Sequence, residues 1–388
     1  MSEVESERAQ SDRQQRVLIV GGGVAGLEAA LALGDLAGNR ITTTLLAPNS
    51  EFVYRPMTVR EPFSYSRAKR YPLEEVVSDI GAELVPDALK SLDAPERVVH
   101  TEGGHMLQYD TLVLALGATL NRRFEHVLTI DDRRLDEQLH GLIQDVEEGY
   151  ARRLAFISPT PMPWPMPIYE LALMTARRAY DMGVDISITI ATPEEAPLAV
   201  FGTDASTAVE RLLEEHGILT ITSAHCEVPE PGRVAVHPGE RQLHVDRIVA
   251  LPQLLGPSVS GVPTVADGFI PVDEHCMVRG LEHVYAAGDA TDFPIKLGGI
   301  AAQQADAAAR AIARLAGVPL EERPFDPEIH AILIGGGEPL YLSARLTGGH
   351  GSTSQATRTA IWSPPSMIAA HYLAPYLEER ERAAGSAP

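Results

Sequence analysis

Cysteine is almost missing from this chain: Cys226 and Cys276 are the only two in 388 residues. They form no CxxC pair and cannot staple a disulfide framework, a usage that fits a reducing, cytoplasmic setting. Basic charge is scarce as well. With 32 Lys and Arg against 53 Asp and Glu, the net charge is −21, which excludes nucleic acid as a partner, because phosphate binding needs clustered cations. The same balance disfavours adhesion to anionic lipid by charge, though not apolar docking. Long apolar runs are lacking too. Residues 1–14 are polar, carry no signal-peptide core and are expected to be a disordered tail. The longest apolar stretch, about Val17 to Leu33, is broken by glycines and Glu28, which argues against a membrane span. What remains is ordinary globular composition, long enough for two or three domains.

Two strand–loop–helix units stand out, and they disagree. In the first, the strand Val17-Leu18-Ile19-Val20 runs into Gly21-Gly22-Gly23-Val24-Ala25-Gly26 and then a helix. Gly21-x-Gly23-x-x-Gly26 is a dinucleotide fingerprint: a tight turn, an open approach for pyrophosphate, and close helix–strand packing. A second strand, Ile41 to Leu46, follows at βαβ spacing. It ends in Ala47-Pro48-Asn49-Ser50-Glu51, with no acidic residue directly at the strand end. Asn49 or Glu51 can serve the ribose hydroxyls in its place, or both are plain loop residues. In the second unit, Leu154 to Ser158 leads into Pro159-Thr160-Pro161-Met162-Pro163-Trp164-Pro165-Met166-Pro167 and a helix from about Ile168. Proline removes the amide donors that a pyrophosphate needs. One nucleotide site reads as intact and its twin as closed.

Elsewhere, Met106–Leu116 reads as a strand ending at Ala115-Leu116-Gly117, and Val284 to Ala286 as another, followed by Ala287-Gly288-Asp289. A glycine-led helix is expected from about Ile300 to Leu315, a polar loop at Gly348–Thr353, and an amphipathic helix near Ser366–Arg382. Glu194 and Glu195, after the strand Ile186 to Ile190, read as exposed loop residues.

With Gly21–Gly26, Thr111–Gly117 and Val284–Asp289 in this order, the chain resembles the pyridine nucleotide–disulfide oxidoreductase superfamily of two-dinucleotide-domain flavoproteins. Within it, the likeness is nearest to sulfide:quinone oxidoreductases and flavocytochrome c sulfide dehydrogenases, with type II NADH:quinone oxidoreductases as the neighbouring branch. That likeness rests on Leu45–Tyr54, the proline-bearing second loop, Pro197–Gly202 and Pro294–Gly299. The resemblance implies an α/β fold with two Rossmann-like dinucleotide-binding domains of the FAD/NAD(P)-binding type and a small C-terminal α+β region. The FAD-binding domain is expected over 15–150 and 266–318, the second nucleotide-type domain over 151–265, and the C-terminal region over 319–388.

The resemblance further implies FAD as the cofactor. Gly21, Gly23, Val24, Ala25 and Gly26 would hold its pyrophosphate, with Ala47 and Asn49 at the ribose end and Ala115 and Gly117 lining the cradle. Gly288 and Asp289 would meet its ribityl–phosphate region, and Arg55-Pro56 would lie near the flavin. Gly299, Ile300 and Ala301 would aim a helix N-terminus at the pyrimidine edge of the ring, where a positive helix end stabilises negative charge. Lys296 would add a full positive charge there as the catalytic residue, or else be a solvated loop lysine. Trp164 either lines the flavin or packs in a domain interface.

The cysteine pair of the sulfide enzymes has no counterpart here. Pro159–Pro167 contains no cysteine and none follows Cys276. Cys276 falls in a stretch that resembles a surface hairpin of the family, and both cysteines read as structural. The expected reaction is transfer of two electrons from a small donor through flavin to a quinone-like acceptor. An NAD(P)H-dependent reductase and a non-catalytic flavin-bound scaffold or sensor remain the alternatives. In the resembled families the C-terminal segment covers the flavin, so Ile368 to Leu377 would pack on the body, join a homodimer or make weak peripheral contact at the inner face of a membrane. His350 and His371 would serve there as proton relays or be ordinary surface residues.

Overall fold

A computed structural model of the protein describes residues 14–63, 67–347 and 350–385. The expected N-terminal tail lies outside the described residues except for Gln14. Two wholly parallel five-stranded sheets organise the chain. The first takes β1 (Gln15–Val20), β2 (Ile41–Leu46), β3 (Glu83–Val85) and β4 (Thr111–Leu114) from the front of the chain. The second contains β5 (Leu128–Thr129), β6 (Arg153–Ile157), β7 (Ser187–Ala191), β8 (Leu219–Ile221) and β9 (Arg247–Ala250) in the order β5-β9-β6-β7-β8. Then β10 (Val284–Ala286) returns to the first sheet, whose order is β10-β4-β1-β2-β3. Strands such as β4, buried along their whole length, carry continuous apolar sequence because helices and loops cover both faces.

Two helices frame the first sheet's carboxyl end. Helix α1 (Val24–Ala37) follows β1, and the long helix later in the chain, Gly298–Leu315, packs along it. Their facing surfaces are largely alanine: Ala25, Ala29 and Ala32 on one, Ala301, Ala305, Ala308 and Ala309 on the other, all buried. Small side chains let two helix backbones approach closely. In the second unit, α2 (Leu135–Glu147), α3 (Met166–Asp181) and α4 (Thr203–Glu215) surround the second sheet. The Gly298–Leu315 helix is α5 hereafter. A three-stranded antiparallel sheet of β11 (Glu328–Leu333), β12 (Leu340–Thr347) and β13 (His350–Thr357) comes next, then α6 (Leu373–Gly385).

Three expectations change in the structure. The run Met106–Leu116 is two strands, because Asp110 turns aside to accept the Arg16 amide (2.8 Å) and guanidinium (2.9 Å). Residues His350–Thr353 are strand, since their backbone pairs with β12. The last helix starts at Leu373 and not near Ser366, because the preceding backbone bonds elsewhere: Ile368 N donates to the Tyr54 hydroxyl (3.1 Å) and Tyr372 N to Glu28 (2.8 Å).

The apolar face of that last segment is covered by the chain itself. Ile368, Ala370, Leu373, Ala374 and Leu377 are buried in the core around α1 and α5. Tyr376 donates to Asp79 (2.7 Å), Tyr71 to Glu381 (2.7 Å), and Arg380 also pairs with Asp79 and Glu75. Of the expected alternatives, packing on the chain's own body accounts for these buried side chains. No helix among the described residues is long and apolar enough to cross a membrane. Truncating Leu373 to alanine should destabilise the fold by about 2–5 kcal/mol. Tyr376→Phe, which removes the half-exposed hydroxyl and its hydrogen bonds to Asp79 and Arg380, should cost about 1 kcal/mol. Urea unfolding of the two variants measures the contrast.

Candidate functional site

The glycine loop between β1 and α1 is shaped by contacts that admit no side chain. A Cβ on Gly26 would sit 1.8 Å from the Gly21 carbonyl oxygen, and one on Gly21, whose φ is +116°, would sit 2.1 Å from that of Ala115. Beside Gly23 there is open space to 4 Å. Gly23 precedes α1 without any side-chain cap, so the first amides of α1, at Val24, Ala25 and Gly26, are left for a ligand. Gly117 holds φ +70° at the end of the β4 segment. Gly288, at φ +80°, is wedged between Ala25 and Ala301: an added Cβ would lie 3.2 and 3.3 Å from their methyl groups. The first turns of α1 and α5 therefore converge on Gly288. The buried Gln304 of α5 fixes it by accepting the Gly288 amide at 2.8 Å.

Asp289, Lys296, Arg55 and Asp132 gather next to this junction. The Asp289 carboxyl is pushed up by burial, against the pull of Lys296, with Asp132 raising it and Arg55 lowering it. Arg55 pairs with Asp132 at 3.4 Å, and burial raises the Asp132 carboxyl too. Lys296 is not a solvated loop lysine. It is 4% exposed, donates from Nζ to the Thr291 carbonyl at 2.6 Å and lies 4.2 Å from the centre of the Phe269 ring. Burial lowers its pKa to about 8, and Asp289 and Asp292 oppose the fall. Like α1, α5 begins without a side-chain cap, at Leu297-Gly298, so its amide dipoles point outward beside Gly299, Ile300 and Ala301. Pro56 is partly buried next to Arg55, and Ala47 is buried at the end of β2. Asn49 stays exposed, and Glu51 is drawn toward Arg70 at 3.5 Å.

The second unit is built differently at the same place. Helix α3 starts at Met166, with Pro165 at its cap and Pro167 in its first turn. The loop before it meets the first unit through the Lys296 amide, which donates to the Pro163 carbonyl at 2.9 Å. Trp164 packs, partly buried, on the core of the second unit. Glu194 corrects the expectation of an exposed loop carboxylate. It accepts from the buried Tyr169 hydroxyl at 2.5 Å and from Thr192 at 3.1 Å, and burial pushes it up to about 7. It follows β7, where a nucleotide-binding carboxylate would take ribose hydroxyls.

Sequence reasoning passed over several groups. Glu170, 3% exposed, accepts from the Ile334 amide at 3.2 Å, and burial raises it to about 8. Ile334 lines a cavity of about 390 Å³ together with Met57, Arg60, Ile332, Pro339 and Met367. The buried Nε of Arg60 has no hydrogen-bond partner among the described residues. A larger recess of about 860 Å³ is walled mostly by charged side chains, among them the Arg134–Glu137 pair. No sequence motif marks Glu170 as buried; only its place at the first turn of α3, under β11, does. Cys276 does sit in a tight hairpin, closed by the antiparallel Val272–Val278 bridge, but its side chain is fully buried in the core around α1 and α5. Burial raises both thiols, Cys226 to about 12. His371 is exposed with its ring 4.4 Å from that of Tyr372. The His350 side chain lies outside the described residues.

A family model described as pyridine nucleotide-disulphide oxidoreductase matches residues 15–151 and 170–310. The gap falls across the proline loop. The alternative NAD(P)H-ubiquinone oxidoreductase C1 of Arabidopsis thaliana is 25% identical over 330 residues, 73% of this chain and 62% of that protein. The mitochondrial sulfide:quinone oxidoreductase of Dictyostelium discoideum is 28% identical over 117 residues, 30% of this chain and 26% of that protein. The chain thus matches less than two thirds of the length of either relative. Among solved structures, the sulfide:quinone oxidoreductase of Aquifex aeolicus superposes with a TM-score of 0.77 at 20% identity, covering 89% of this chain and 87% of that one. A ferredoxin reductase of Rhodopseudomonas palustris gives 0.66 at 20% identity, covering 86% and 83%. These last two likenesses speak to the fold. Replacing Gly26 by valine should push the Gly21 carbonyl out of place and weaken dinucleotide binding at least tenfold, as read by equilibrium dialysis of the folded variant.

Proposed function

Since the chain belongs to the pyridine nucleotide–disulphide oxidoreductase family, we propose that it is an FAD-dependent oxidoreductase whose electrons leave to a quinone-like acceptor and do not arrive from NAD(P)H at an ordinary second site. One observation carries this reading: the Tyr169 hydroxyl occupies the carboxylate of Glu194, under a loop whose prolines supply few amides. A nicotinamide nucleotide would have to break a buried hydrogen bond and find donors that proline does not have.

The residues present fit FAD. Open space beside Gly23 and the uncapped amides of α1 suit a pyrophosphate, and Gly288-Asp289, between α1 and α5, suits the ribityl–phosphate region. FAD, when bound, supplies two-electron chemistry; the chain binds, shields and supplies charge. Lys296 and the start of α5 place positive potential where negative charge would grow. Lys296 is held for that role by Thr291 and Phe269.

The cavity beside Met57 and Met367 has the size and apolar lining of a small-ligand site. Arg60 lines the same cavity and brings a guanidinium to an acceptor carbonyl oxygen. Reducing a quinone to a quinol consumes two protons, and Glu170 holds one at neutral pH, one hydrogen bond behind the cavity wall at Ile334. A persulfide route through cysteine is disfavoured: Cys276 is buried and both thiols are held protonated.

Two measurements test the reading. Anaerobic addition of NADH or NADPH should leave the flavin spectrum unchanged on the timescale of turnover, while a small quinone should reoxidise chemically reduced protein; rapid bleaching by either nucleotide would establish the reductase instead, and inertness toward every quinone would leave a flavin-bound scaffold. In the wild type, reoxidation by quinone should slow as pH rises through about 8, where Glu170 loses its proton. Glu170→Gln should be slower below that pH and lose the inflection, as followed by stopped-flow absorbance.

A further inference from the structure

Glu28 is an acidic residue on the buried face of the largely apolar helix α1, and it is wholly buried. Its two oxygens are engaged by a distant piece of chain: Oε1 accepts the Tyr372 amide at 2.8 Å and Oε2 the Leu373 amide at 2.5 Å. These are the first amides of α6, so a carboxylate on α1 caps a helix more than 340 residues away in sequence. On its other side, Glu28 faces the Asp306 carboxyl of α5, which burial and the neighbouring Glu28 charge raise to about 8, so that this pair carries a proton at neutrality. The other charged or titratable groups facing this pair are Arg310 on α5, His371 and Tyr372 on the capped segment, and Asp35 on α1.

The segment that Glu28 holds runs directly across the candidate site. Ile368 covers Gly298, with side-chain atoms 3.0–3.5 Å from where a Cβ would stand, and the Ala369 carbonyl passes 3.6 Å from the Cβ position of Gly299. Met367, one residue earlier, lines the cavity beside Arg60. Between these contacts and Glu28 there are only a few residues of chain.

We propose that Glu28 is a positioning residue: it clamps the Tyr372–Leu373 amides and so fixes the strap Met367–Ala370 over the start of α5 and against the acceptor cavity. The strap's relation to an acceptor rests on the function proposed above, whereas the clamp does not. Opening the strap would hydrate the carboxyl pair and release its proton. Asp306 holds that proton to about pH 8 because of burial and the nearby Glu28 charge. The closed state therefore binds more protons than the open one above the ordinary carboxyl range. Its advantage falls as pH rises toward about 8 and levels off beyond.

Residue-resolved amide hydrogen exchange on the protein as purified tests this without any donor or acceptor. Protection factors of the Tyr372 and Leu373 amides, corrected for intrinsic exchange and compared with amides in α3, should fall by up to about tenfold per pH unit between pH 6 and 8. Asp306→Asn, whose amide can donate to Glu28 without a titrating proton, should keep the protection and abolish the slope. Glu28→Gln should lower protection at both amides at least about tenfold. His371→Gln should leave the slope in place. A wild-type slope no steeper than that of α3 would overturn the proposal, as would a slope surviving in Asp306→Asn, a slope lost in His371→Gln, or full protection in Glu28→Gln. Should the Glu28 variant not fold, the wild-type slope and the Asp306 variant still decide. Failure of quinone reduction with the slope intact would refute the acceptor reading and spare the clamp.

Discussion

The close approach of α1 and α5 at Gly288 is the constraint on which the candidate site depends. Gly288 fits between Ala25 and Ala301 with no room for a Cβ, and the alanine-lined helix surfaces continue that closeness for several turns. Two helix N-termini are thereby brought to one place, each uncapped by any side chain. Uncapped amides at a helix start need a partner, and an anion there is favoured by the aligned peptide dipoles. The two sheets, the returning strand β10 and the glycine loop hold that arrangement. A methyl group added at Gly26, Gly21 or Gly288 would separate parts whose function requires contact.

Proximity has a second consequence, in charge. A chain with net charge −21 buries Glu28, Glu170, Glu194 and Asp306 and raises the pKa of each. An unpaired buried carboxylate is too costly to keep, so such a group takes a proton or gathers donors. Each of the four does one or both. Glu28 has two amides, Asp306 a proton, Glu194 a phenol, a threonine hydroxyl and two amides, and Glu170 a single amide and a proton. The groups with the fewest donors are the ones that hold protons near neutrality.

The sequence was most readable where backbone geometry dictates residue type. Gly21, Gly26, Gly117 and Gly288 are legible because each occupies a conformation or a contact that other residues resist, and Gly23 because it leaves open space at the start of α1. The proline loop was legible for the opposite reason, since proline withholds amides. Residues whose environment is made by distant chain were not. Glu194 looked like surface loop because nothing nearby in sequence says that Tyr169, 25 positions earlier, reaches back to it. Lys296 was left between two roles until Thr291 and Phe269 were seen around it. The apolar stripe of Ile368 to Leu377 was correctly read as a buried face, but periodicity does not say what does the burying.

The two units of this chain build the same strand–loop–helix corner in two different ways. In the first, helix α1 begins with small residues and its early amides remain uncovered. In the second, the corresponding helix α3 begins Met166-Pro167-Ile168-Tyr169-Glu170. Proline deletes a donor, and the tyrosine fills the space and turns its hydroxyl on the acid that would have received a ribose. Restoring glycines alone would not reopen that site, because the buried Tyr169–Glu194 bond would persist. Removing Tyr169 alone would leave Glu194 to Thr192 and the Leu198 and Ala199 amides, at a higher cost for its charge. Loop and helix act together in the packing, the prolines withholding amides and Tyr169 holding Glu194, and this joint arrangement is what supports the proposal that electrons reach the first site from a donor other than NAD(P)H.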